Sequence, residues 1–175
     1  MDAGELTIRW TVRLALACYA VVLLLAIVHG ERPATSRLSR WLWTIGCLLF
    51  VGHVLSAFAF YHHWSHQHAF DDTKAKTEAA IGLAFGWGIY VKHLFTLLWM
   101  GDVVWSWADV DSYRRRPWPW VVGLHAFMLF IAINGLMIFK DGLIRWVSLT
   151  LLLLLLAAWV GTLTHRRIAE KATSG

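Results

Sequence analysis

Apolar residues run through this chain in long stretches, each of them nearly free of charge and each closed by a short polar segment. An α-helix rises about 1.5 Å per residue and the hydrocarbon core of a bilayer is about 30 Å thick, so a stretch of about 20 apolar residues is what a membrane crossing requires. Five stretches meet that length: about Trp10 to Val28, Trp41 to Tyr61, Ala80 to Trp105, Trp118 to Phe139 and Leu143 to Leu163. The fold class they predict is all-α, a polytopic transmembrane helical bundle of five spans. Residues 1–175 are expected to form one integral membrane domain, because the loops are too short to build a second core. The first stretch resembles a signal peptide in length, but the HGERPATS segment behind it offers no small-x-small cleavage site, so a retained helix is expected.

Composition points the same way, with 58% hydrophobic and only 15% charged residues, outside the usual range for a soluble domain. A net charge of +5 raises the question of nucleic acid, yet the basic residues lie in short clusters with no stripe for a phosphate backbone to follow. They act instead as topology signals, since Lys and Arg in short loops are held on the cytoplasmic side. Five spans place Arg32, Arg37, Arg40, Arg114, Arg115, Arg116, Arg166, Arg167 and Lys171 on one face of the membrane. Arg9, Arg13, Lys74, Lys76, Lys140 and Arg145 fall on the other. The larger set defines the cytoplasmic face, with the N-terminus outside, the C-terminus in the cytoplasm and the connection after the second span outward.

A bacterial inner membrane is the expected location, with the lipid bilayer and other membrane subunits as partners. Of the 12 Trp residues, Trp10, Trp41, Trp43, Trp64, Trp105, Trp107, Trp118, Trp120 and Trp146 fall near span ends, where an indole suits the headgroup level. Cys18 and Cys47 sit in different spans at different depths, so no disulfide is expected between them.

The densest chemistry is YHHWSHQHAFDD, with His62, His63, His66 and His68 at the outer end of the second span. If the helix continues through it, His62 and His66 lie one turn apart and can chelate one ion, with Asp71 and Asp72 as oxygen ligands. Imidazole suits copper, zinc and iron alike, and the competing reading is a set of interfacial residues that bond headgroups. Within the bilayer, His53 and His93 are expected at one depth. Gly46 lies beside His53 on its helix, and Gly82 and Gly86 on the same face as His93, an arrangement that would admit a bis-histidine haem b or simply close helix packing.

Lys92, Asp102, His125 and Asn134 are the remaining intramembrane polar groups, each needing a partner or a wet cavity. Asp102 with His125 is the favoured pair, and Lys92 is expected to snorkel toward Glu78 or the histidine segment. The chain has no Walker loop, HExxH or GxSxG motif. The YHHWSHQHAF, FTLLWMGDVVW and INGLMIFKDG segments resemble uncharacterised bacterial membrane proteins, a resemblance that implies no activity. The function expected is an outward-facing metal or redox site in a membrane redox or metal-handling system. The alternatives are a haem-carrying membrane anchor and a non-catalytic structural or assembly subunit.

Overall fold

The computed structural model describes residues 3–29, 32–139 (side chains to residue 133), 150 and 153–161. It is all-helical in these residues, with no strand. Helix α1 spans Ala3–His29 and α2 spans Arg37–Ser56. Ser36 caps α2, its Oγ accepting from the N–H of Ser39 at 3.3 Å and so satisfying one of the donors a helix start leaves unpaired. The last turn of this rod is a π-turn, Ala57–Tyr61, which carries the chain on to the histidine segment.

There the rod stops. His63 and Trp64 both take positive φ, 47° and 60°, a left-handed backbone that costs a non-glycine residue about 1 to 2 kcal/mol. Ser65 then caps a new helix, α3, His66–Ile81, by accepting from the N–H of His68 at 3.2 Å. Helix α3 ends at Gly82, whose φ of 74° and N–H bond to the Glu78 carbonyl form the left-handed cap that glycine adopts without a Cβ penalty. Helix α4 spans Gly88–Ala108, and Asp109 caps the short α5, Val110–Arg114, through its Oδ1. Helix α6 follows as Trp118–Phe139, entered through Pro117 and Pro119, which suit a first turn because proline has no N–H to leave unpaired there.

Among the described residues two helices, α1 and α2 with its π-turn, are long and apolar enough to cross a membrane. Helix α4 has the length, but Lys92, His93 and Asp102 interrupt its apolar sequence. Helix α1 packs along α2, α2 on α4, and α4 on α6. Tyr19, Leu23, Trp43, Phe95, Trp99 and Met128 meet in the shared core. Large apolar side chains are also exposed: Leu48 is 65% exposed, Leu97 66% and Val104 65%.

The structure revises one boundary. The helix expected from Ala80 begins at Gly88, and the connection before it contains the separate helix α3. Most of the span expected at 143–163 lies outside the described residues; within it residues 153–161 are helical, and Trp159 is buried against Trp118 and His125.

Candidate functional site

Two polar clusters occupy opposite ends of the bundle. The first surrounds Asp102, which lies in α4 and is 1% exposed. Its Oδ2 accepts from Trp43 Nε1 at 2.9 Å and from the Tyr113 hydroxyl at 2.7 Å, and its Oδ1 from Trp120 Nε1 at 3.2 Å. One carboxylate therefore ties α2, α4, α5 and α6 together. Burial, and then Asp102 itself, push the Tyr113 phenol above its ordinary pKa, so it stays neutral and remains a donor.

Behind Tyr113 lies Arg116, 2% exposed, with its guanidinium 3.8 Å from the centre of the Tyr113 ring. It donates to the Pro33 carbonyl at 2.8 Å and the Tyr113 carbonyl at 3.3 Å. Arg32 donates in return to the carbonyls of Arg114 and Arg116, so the two loops at this end hold each other by their backbones. The Asp102–His125 pair expected from depth does not form: His125 Nδ1 meets the Tyr19 hydroxyl at 3.3 Å and its ring stacks on Tyr19. The two groups share only a neighbour, Trp43, whose ring lies 5.7 Å from that of His125. Trp43 is not a headgroup anchor either, since it is 1% exposed and its N–H is spent on Asp102.

The second cluster is the histidine end. Because the helix breaks at His63, His62 and His66 do not stack one turn apart as a continuous helix would place them. Two other pairs form. His66, in the first turn of α3, faces His93 of α4 with ring centres 6.0 Å apart, and His62 faces His68 at 5.5 Å. Phe58 lies under both pairs, 5.6 Å from His62 and from His93 and 6.4 Å from His66. Two imidazoles sharing one tetrahedral ion stand with ring centres about 5 Å apart; both pairs are wider than that, His62–His68 at 5.5 Å by less than His66–His93 at 6.0 Å.

None of the ring nitrogens of His62, His63, His66, His68 or His93 is hydrogen-bonded to another described residue, and His62 Nδ1 is buried without a partner. Burial holds the His62 pKa below its ordinary value, with Asp72 opposing the shift and His68, Lys76 and Lys92 adding to it. His63 stands apart on the exposed turn.

The carboxylates proposed as oxygen ligands are engaged elsewhere. Asp71 accepts from Gln67 at 3.1 Å, and Asp72 pairs with Lys76 at 2.7 Å, while Lys76 also lies over the Tyr61 ring. No group of three His, Cys, Asp or Glu side chains among the described residues converges on a point that would suit an ion. Lys92 is half-buried within electrostatic reach of Asp72 and Lys76.

His53 and His93 are not brought together. His53 donates from Nδ1 to the Ile8 carbonyl at 2.9 Å and so faces α1, whereas His93 faces α3. The glycines expected to clear a macrocycle have other surroundings. A Cβ on Gly46 would lie 3.2 Å from Cys18 and Trp99, one on Gly86 would strike the Phe70 ring, and Gly82 is a helix cap outside α4. Cys18 and Cys47 are free thiols. The Asn134 side chain and Trp146 lie outside the described residues.

No family model, curated protein or solved structure matches this chain. The case for function therefore rests on the two clusters alone. Sequence reasoning missed Trp43, Tyr113 and Trp120 as partners of Asp102. A signal for one of them was present: Trp43, Gly46, Cys47 and Phe50 recur at helical spacing as the buried stripe of α2, which marks Trp43 as inward-facing.

Proposed function

We propose that this chain is a five-span integral membrane protein whose histidine end takes a transition metal ion, copper, zinc or iron, as part of a membrane redox or metal-handling system. The N-terminus and the histidine end face outward and the C-terminus lies in the cytoplasm, in keeping with the arginine-rich loops. The observation that carries the reading is the meeting of His66 with His93 across two helices, with ring nitrogens left unspent beside a floor of aromatic rings. Two protein nitrogens and water would hold an ion that is exchanged with a partner more readily than one locked in place.

Haem b has less support, because His53 and His93 face different helices and the space beside Gly46 and Gly86 is taken by the chain's own side chains. A structural or assembly subunit is the rival that the experiment separates. Protein purified from cells supplied with copper, zinc and iron is analysed by elemental mass spectrometry, beside His66→Ala/His93→Ala. About one ion per chain, lost in the double variant, supports the metal reading. Background metal in the parent protein leaves the structural one. Orientation is checked with an impermeant thiol reagent on intact cells, in which Lys74→Cys reacts and Asp111→Cys is protected.

A further inference from the structure

The arginine end carries an exposed feature that neither cluster uses. A groove runs between α4 and α6, lined by Leu98, Pro119, Trp120, Gly123, Leu124 and Phe127, and its lining is almost wholly apolar. Its one polar edge, Trp120 Nε1, is already donated to Asp102. Along α6 the lining extends from residue 119 to residue 127, about 12 Å at the helical rise. Gly123 leaves the middle open, since a Cβ there would meet nothing within 4 Å. The groove starts three residues after Arg116, where Arg114 and Arg115 are both exposed. Their backbone is fixed in place: Arg32 bonds the carbonyls of Arg114 and Arg116, and the Arg116 guanidinium is turned inward to Pro33. Two exposed cations thus lie on the turn that leads into a slot with no charged residue in its lining.

We infer that this face binds one acidic phospholipid, its phosphate at Arg114 and Arg115 and an acyl chain in the slot beside Gly123. Charge complementarity selects the headgroup, and the apolar slot adjoining it selects a lipid over a free anion. The inference rests on the membrane reading above but not on the metal, and it holds for either orientation of the chain.

The test uses the full chain in detergent, with native mass spectrometry of bound lipid after addition of phosphatidylglycerol, phosphatidylcholine or inorganic phosphate. The expected result is one retained phosphatidylglycerol, little phosphatidylcholine, and no displacement by phosphate. Two basic residues near an anionic headgroup are together worth about thirtyfold in affinity, so Arg114→Ala/Arg115→Ala should weaken retention by about that factor. Gly123→Leu fills the slot and should also reduce retention, with unchanged helical circular dichroism confirming that the variant folds. Equal retention of the two lipids, or full retention in the arginine variant, overturns the proposal, and the arginine variant decides the matter even if Gly123→Leu fails to fold. Alkaline carbonate extraction of the parent protein from membranes separates the two readings: a protein released by carbonate would remove the membrane reading itself, whereas a resistant protein without lipid preference removes only this inference.

Discussion

The two ends of this bundle use polar residues in opposite ways. At the arginine end Asp102 is buried under three donors, and Arg32 and Arg116 are spent on backbone carbonyls, which leaves Arg114 and Arg115 as the exposed basic side chains of that turn. At the histidine end the imidazoles touch aromatic rings and one another, yet their nitrogens bond no described residue, and His63 and Trp64 hold a left-handed turn. A carboxylate filled by donors from several helices fixes how those helices pack; ring nitrogens left unbonded beside a strained turn are available to a ligand. Polarity alone does not mark a functional site. What distinguishes the ends is that Asp102 at one is filled by donors of the chain, while the ring nitrogens at the other bond no described residue.

The sharpest way to break this contrast is Asp102→Asn. An amide presents donors where the structure has three donors already aimed, leaving at least one of Trp43, Tyr113 and Trp120 unpaired in the interior. Loss of about 3 kcal/mol of stability is expected from hydrogen bonds to a charged acceptor, read as a fall in the thermal midpoint of the purified protein. A melting curve unchanged from the parent would mean that the carboxylate does not hold the helices. Arg116→Lys should cost less, about 1.5 kcal/mol, because an ammonium keeps the charge but loses the planar stack on Tyr113 and one of the two carbonyl contacts.

His53→Phe tests the boundary between the two regions. It removes the bond to the Ile8 carbonyl and keeps the ring beside Phe50, so a loss of about 0.6 kcal/mol, typical of interhelical bonds in membranes, is expected. A loss several times larger would give His53 a role that its single bond does not explain.

The smallest effect is a pH dependence. The folded chain holds His62 below its ordinary pKa, so the unfolded chain binds the proton more readily and stability should fall as pH drops through the unfolded value of 6.5. His62→Phe should flatten that slope in a series of melting curves, and an unchanged slope would assign the acid sensitivity to another group.

The helical class was legible because long apolar runs nearly free of charge read directly as helices, and α1 and α2 with its π-turn cover their expected stretches, α1 beginning seven residues earlier. The boundary near Ala80 was not. Residues 66–81 contain good helix formers, and the apolar segment after Gly82 reads as a continuation, but the left-handed cap at Gly82 ends α3 six residues before α4 begins. The same limit applied to the histidines. Spacing along one helix paired His62 with His66, whereas the turn at His63 redirects His66 toward His93, a contact between distant parts of the sequence that periodicity does not encode. Depth likewise placed Asp102 level with His125 but did not reveal that Trp43 stands between them.

If His66 and His93 share an ion, X-ray absorption at the edge of whichever metal the purified protein retains reads their nitrogens. Two imidazole nitrogens at about 2.0 Å, falling below detection in His66→Ala/His93→Ala while the His62→Ala/His68→Ala protein keeps them, is the predicted result. A spectrum without histidine scattering, or one that the His66→Ala/His93→Ala change leaves untouched, would contradict it.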